Sequence, residues 1–319
     1  MEIKQVDLLI TYKCPSKCKH CLYKSGPHRE GVMDVKDAKD YLNQLKDYSL
    51  KWVTITGGEP FMYYDRLLEI VKIAKDINPG SIWVLTNAYW AKSRENAREK
   101  LLKLRGAGLT HIMFSVDCFH QEYIPVECVS NALGAAKDVG FEQIQVDSYL
   151  LSYPESKNQF DLSTLRILSQ INLENIKCNQ YTPMVGGRTA ELLTKYFSCN
   201  QGIHRDKCKL PSWIGGDLRE PLGIEIDPFG YVYFCPGLTI GNAKEKELAR
   251  IIEDYDCTKH PIIKIIEREG PIGLLRIAME KGFVPLEGYI DKCHLCYETR
   301  KFLRPYFQEH LAPKECYEG

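Results

Sequence analysis

Three cysteines fall close together near the start of the chain, in the run Cys14-Pro-Ser-Lys-Cys18-Lys-His-Cys21. On one loop, three thiolates with this spacing can converge on a single metal centre. Zinc sites recruit four ligands, mostly as paired Cys-x2-Cys units, so a zinc reading needs a ligand borrowed from far along the chain. A lone Cys-x3-Cys-x2-Cys instead suits a [4Fe–4S] cluster with one iron left open. An open iron can hold a cofactor or a substrate.

Other residues invite chemistry. Of the 13 cysteines, a second spaced set is Cys208, Cys235 and the pair Cys293-x2-Cys296. A four-cysteine zinc site is one reading of it, since Cys-x2-Cys is also a zinc spacing. Cys199, Cys257 or Cys316 can replace one ligand, because sequence does not fix pairing across long gaps. The run 117–123 holds Cys118, His120 and Glu122. A thiol S–H is weak enough to be a hydrogen donor, and His120 and Glu122 can move protons or bind substrate. The plainer reading makes Cys118 a small buried hydrophobe and His120 a capped loop residue. Cys128 and Cys178 read as core. Arg300, Lys301 and Arg304 read as a solvated helix face, with an anionic substrate as the alternative.

These residues need a frame. Apolar runs at 5–11, 51–56, 81–86, 111–116, 141–148 and 175–181 read as strands. Helical periodicity appears at 34–48, 66–77, 93–106, 126–139 and 162–171. Asp34 is the expected N-cap of the first helix, and Gly106 with Gly108 should stop the third. Six βα units in a row imply a parallel sheet, because each helix supplies the crossover that parallel strands need. The theme stops near residue 190. Beyond it, residues 223–234 read as a hairpin turned by Asp227-Pro-Phe-Gly230, 246–255 as a short helix, and 293–313 as helical stretches.

On these residues the chain resembles the radical SAM superfamily. The three-cysteine loop follows the first strand, as the family's signature does. Thr56-Gly57-Gly58-Glu59-Pro60 ends the second strand and resembles the family's GGEP motif, which holds the methionine amino group of S-adenosylmethionine. Glycines let a backbone approach a ligand closely, and a carboxylate accepts bonds from an ammonium group. Thr86-Asn87 at the end of the third strand, and Ser115 and Asp117 at the end of the fourth, resemble the family's polar cofactor contacts. The residue before the third cysteine is usually aromatic in the family. Here it is His20, whose imidazole can still stack near adenine. The resemblance implies an α/β fold, a partial (β/α)6 TIM-type barrel over residues 1–190, with the site at the strands' C-terminal ends.

The remainder, 191–319, resembles the SPASM and twitch domains that hold auxiliary [4Fe–4S] clusters. A full SPASM domain would carry further cysteines after the Cys-x2-Cys pair, and nothing matches between Cys296 and Cys316. The resemblance therefore implies one auxiliary cluster on Cys208, Cys235, Cys293 and Cys296. Thr182-Pro-Met-Val-Gly186-Gly187-Arg188 is similar to a segment common near the end of such barrels. Its glycines suggest either a close backbone approach or an ordinary turn.

The implied reaction is reductive cleavage of S-adenosylmethionine at the catalytic [4Fe–4S] cluster, giving a 5′-deoxyadenosyl radical that abstracts a hydrogen atom. The expected substrate is a peptide or protein residue that becomes cross-linked, epimerised or oxidised. The alternative is a small molecule, with the auxiliary cluster as electron acceptor. A non-enzymatic iron–sulfur or zinc protein is the third reading, which the sulfonium-binding motif argues against. An electron donor such as flavodoxin or ferredoxin is implied. Lys plus Arg and Asp plus Glu are 42 each, so the net charge is zero and nucleic acid is not the expected partner. No signal-peptide pattern and no apolar run of about 18 residues occurs, so no membrane is expected and the reading is cytoplasmic.

Overall fold

The computed structural model describes residues 1–319 except 78, 153–157, 198–201, 204 and 319. The chain forms two compact units. One comprises Val6–Cys18 and Ser25–Pro183, the other Met1–Gln5, Lys19–Lys24 and Met184–Gly319.

The first unit alternates strands and helices. In chain order these are β1 (Gln5–Leu9), α1 (Val35–Gln44), β2 (Trp52–Thr56), α2 (Tyr64–Asp76), β3 (Ser81–Thr86) and α3 (Arg94–Ala107). They continue with β4 (His111–Ser115), α4 (Cys118–Gln121), α5 (Val126–Val139), β5 (Gln143–Tyr149), α6 (Gln159–Leu168) and β6 (Lys177–Tyr181). The strands lie in sequence order from β1 to β6, and every pair from β2 to β6 is parallel. The expected βα series is therefore present.

Alternation along the strands explains the layering. Val53, Ile55, Ile82, Val84, Ile112 and Phe114 are fully or almost fully buried on one face, while the residues between them are half-buried. Helix α3 begins at Ser93, whose hydroxyl accepts from the N–H of Asn96, and ends at Gly108 with φ +121°. Gly106 does not stop it, because it lies within the last turn in ordinary helical backbone. Asp34 precedes α1 but makes no cap bond. Its carboxylate accepts from Arg66 instead, at 3.1 Å. Cys128 is buried as expected, whereas Cys178 is exposed: β6 ends the run of parallel strands, and its residues are mostly half-buried or exposed.

The second unit contains α7 (Arg188–Leu192), an antiparallel sheet of β7 (Gly223–Ile226), β8 (Tyr231–Cys235) and β9 (Leu238–Asn242), and four further helices. These are α8 (Leu248–Glu253), α9 (Ile263–Glu269), α10 (Pro271–Glu280) and α11 (Lys292–Leu303). The hairpin turns where the sequence places it. Oδ1 of Asp227 accepts from the N–H groups of Phe229 and Tyr231, and Gly230 takes φ +89°. No helix among the described residues is long and apolar enough to cross a membrane.

Candidate functional site

The cysteine loop leaves β1 and is stitched into a ribbon. The N–H of Cys14 donates to Gly26 O, that of Gly26 to Tyr12 O, and that of Tyr12 to Gly31 O. Cys14 and Cys18 are buried, and Cys21 is half-buried. Two N–H donors aim at the sulfur of Cys14: the backbone of Ser16 at 3.4 Å and Nδ2 of Asn87 at 3.5 Å. Such bonds favour a thiolate over a thiol, so the donor set fits a metal–sulfur centre.

The paired glycines at the end of β2 serve this loop. The N–H of Gly58 donates to Thr11 O at 2.6 Å, and the N–H of Glu59 to Lys13 O at 2.9 Å. A Cβ on Gly58 would sit 2.2 Å from Lys13 O, and one on Gly57, at φ +148°, would sit 2.6 Å from Thr11 O. The close approach expected of these glycines is therefore made to the chain's own cysteine loop.

Glu59 is fully buried. Its Oε1 accepts from the N–H of Phe61 and the hydroxyl of Thr86, and its Oε2 from the N–H of Asn87. Burial pushes the carboxyl up to about 7, against the pull of these donors. Both oxygens thus brace the end of β3, and they fix Asn87 beneath Cys14. Trp90 completes the brace: its Nε1 donates to Thr86, and its ring stacks on Phe61 at 3.9 Å.

At the end of β4, Ser115 is half-buried and Asp117 fully buried. Asp117 caps α4, accepting from the N–H groups of Phe119 and His120, and its Oδ2 lies 2.9 Å from Nδ1 of His120. This holds the imidazole in one orientation. Glu122 is exposed. Cys118 is half-buried, and its thiol meets the hydroxyl of Thr164 on α6. Burial first of all pushes that thiol up to about 12.

In the other unit, the segment with His20 and Cys21 rests on residues 186–191. The hydroxyl of Thr189 donates to His20 O, and the N–H of Arg188 to Cys21 O. A Cβ on Gly187, at φ +54°, would sit 2.3 Å from Leu22 O. Of the two readings of Gly186-Gly187, the structure therefore realises the close approach. Lys24, almost wholly buried, donates to Glu191 and to Tyr317 O.

The same unit encloses a cavity of about 680 Å³, its mouth included, lined by Cys208, Cys235, Cys293, Cys296 and Cys316. Helix α11 carries the pair. Asp291 caps it through the N–H of His294, and Cys293 and Cys296 sit three apart on one face. Burial pushes the Cys208 thiol up to about 12, and the neighbouring Cys296 and Cys235 push the same way, so these sulfurs face one another. Cys257 is buried away from the cavity lining, and Cys199 lies outside the described residues.

Arg300 departs from expectation. It is no solvated residue but is 3% exposed. It donates to Pro236 O and to the hydroxyl of Tyr317, and its Nη2 reaches Cys235 Sγ at 3.7 Å. Lys301 does reach solvent, pairing with Glu191, whereas Arg304, paired with Glu318, is mostly buried. The spacing held the signal for Arg300: Cys293, Cys296 and Arg300 fall at i, i+3 and i+7 on one helix. Cys316 and Tyr317 carry no comparable mark.

Residues 8–161 match the family model of the Radical SAM superfamily, and this part of the chain is a radical SAM domain. The parallel-strand α/β fold of the first unit agrees with that match. Over 135 residues it is 24% identical to the "Putative peptide biosynthesis protein YydG" of Bacillus subtilis, covering 41% of each chain. Over 192 residues it is 26% identical to a GTP 3′,8-cyclase of Listeria welshimeri, covering 56% of this chain and 54% of that one. The chain thus spans about half the length of these curated relatives. Among solved structures, anSMEcpe with bound AdoMet and Cp18Cys peptide is similar in fold, with a TM-score of 0.50 and 10% identity, covering 96% of this chain and 98% of that one.

Proposed function

We propose that the chain cleaves S-adenosylmethionine reductively and uses the resulting radical to abstract a hydrogen atom from a peptide or protein residue. A [4Fe–4S] cluster on Cys14, Cys18 and Cys21 would supply the electron. The observation that carries this reading is the brace behind Cys14. Gly57, Gly58 and Glu59 fix the loop, and Asn87 points its amide at the sulfur. His20, Gly57, Gly58, Glu59, Pro60, Asn87, Ser115 and Asp117 are the candidates to hold the cofactor. Glu59 and Asp117 would act largely through the neighbours they fix. Cys118, His120 and Glu122 remain candidates for hydrogen-atom or proton movement.

In this reading, residues 1–190 form the catalytic core and 191–319 an auxiliary domain with one [4Fe–4S] cluster on Cys208, Cys235, Cys293 and Cys296. Their convergence on one cavity supports it. A cytoplasmic setting, with a flavodoxin or ferredoxin as donor, follows from the reducing chemistry. The name of the Bacillus subtilis relative and the peptide bound by anSMEcpe support a peptide substrate. The GTP 3′,8-cyclase relatives support a second reading, a small-molecule substrate.

Anaerobic reconstitution and reduction with S-adenosylmethionine tests the chemistry. The expected result is about eight iron per chain, as two four-iron clusters require, and formation of 5′-deoxyadenosine. Absence of cofactor cleavage from fully loaded protein would overturn it. Deuterium transfer into 5′-deoxyadenosine from a labelled peptide, and not from labelled nucleotides, separates the two substrate readings.

A further inference from the structure

The placement of Arg300 in the auxiliary domain calls for an anion. It is almost fully buried, and its carbonyl and hydroxyl partners, Pro236 and Tyr317, are neutral acceptors. Among the described residues no carboxylate pairs with it, and its Nε has no hydrogen-bond partner. A guanidinium does not shed its proton in a protein, and an unpaired buried charge is costly. The negative charge that offsets it must come from what it faces, and it faces Cys235 at 3.7 Å on the wall of the five-cysteine cavity.

The cation is also held still. The hydroxyl of Tyr317 accepts from Nη1 and itself donates to Gly237 O. Arg300 lies over the Tyr317 ring at 5.8 Å. Gly237, at φ +80°, leaves no room for a Cβ against that ring. The turn after Cys235, the buried tyrosine and the arginine therefore form one rigid piece.

We infer that Arg300 is a positioning residue that sets the reduction potential of the auxiliary centre, its fixed buried charge favouring the reduced state. This rests on the reading of Cys208, Cys235, Cys293 and Cys296 as a [4Fe–4S] site. Reduction adds one electron to a centre already negative through its four thiolates. A cation held at one sulfur in a poorly solvated cavity stabilises the reduced form more than the oxidised one.

The test uses full-length chain with Cys14, Cys18 and Cys21 replaced by Ala, so that only the auxiliary centre loads, and follows a redox titration by electron paramagnetic resonance. At a fixed potential near the midpoint, Arg300→Gln should raise the ratio of oxidised to reduced cluster at least tenfold. Arg300→Lys, which keeps the charge, should change it less than threefold. An Arg300→Gln cluster that titrates as the parent does overturns the inference, and so does a tenfold shift in Arg300→Lys. If Arg300→Gln does not load, Arg300→Met, which also removes the charge, is titrated in its place and decides by the same tenfold threshold. Zinc in place of iron in the parent overturns both the cluster reading and this inference. A four-iron centre indifferent to Arg300 overturns the inference alone.

Discussion

Replacing Gly58 with alanine tests whether the glycine pair exists to seat the cysteine loop. The new methyl would lie 2.2 Å from Lys13 O, 2.7 Å from Lys13 C and 2.8 Å from Tyr12 O. All three are backbone atoms, so no side chain can swing aside. Forcing a carbon into packed structure costs about 1–3 kcal/mol. If the loop shifts to make room, the bonds from Gly58 to Thr11 and from Glu59 to Lys13 go too, at about 1 kcal/mol each. The total, about 3–5 kcal/mol, is a large part of the roughly 5–15 kcal/mol that holds a protein folded. Anaerobically reconstituted Gly58→Ala should therefore unfold at markedly lower temperature or lose the catalytic cluster, dropping from about eight iron per chain toward four. Full iron content with an unchanged melting temperature would refute the argument, because the loop would then have room the geometry denies it.

Three further outcomes follow from the same reasoning. Gly106→Ala is the contrasting control: nothing lies within 4 Å of its Cβ position, so this exposed helical site should gain about 0.5–1 kcal/mol in chemical denaturation. Asp7 is fully buried on β1, and burial raises its carboxyl from 3.8 to about 7 despite a bond from Thr54. Its folded state thus favours the protonated form. The contribution of this one group to stability is greatest below about pH 4, falls as pH rises toward 7, and is then lower by on the order of 4 kcal/mol. Urea titrations should show Asp7→Asn gaining over the parent above pH 7 and not at pH 4; an equal effect at both pH values would contradict the assignment. Glu59→Gln turns an NH2 group toward one of three donors that now meet a carboxylate, so a loss of about 1–3 kcal/mol is expected in thermal or chemical unfolding.

The βα series was legible because apolar runs and helical stripes alternate without interruption to Tyr181, with β2, β3 and β4 each supplying one fully buried face. What proved hard to read concerns long-range partners. Gly57 and Gly58 are marked as close-approach residues by type alone, but only the fold shows that they approach Thr11 and Lys13. Asp34 has the residue type of a cap, and Arg66 takes its carboxylate instead. The third strand of the small sheet, β9, carries no strand pattern in sequence because Gly241 and Asn242 interrupt its apolar run. Helices α9 and α10 are marked in sequence by Gly270-Pro271 alone: Pro271 opens α10 and Gly270 takes φ +75°. Cys178 lies among Lys177, Asn179 and Gln180, a polarity that belongs to an edge strand rather than a core one.

That edge position gives the molecule a built-in reporter. Cys178 is exposed, whereas every other described cysteine is buried or partly so. A bulky maleimide should therefore label the folded, cluster-loaded chain first at this sulfur. Label uptake beyond one equivalent then counts the thiols released as a centre falls apart, and Cys178→Ser supplies the baseline. Exposure to air should likewise begin its covalent damage there, as dimers bridged through β6, before either set of inward-facing sulfurs is touched.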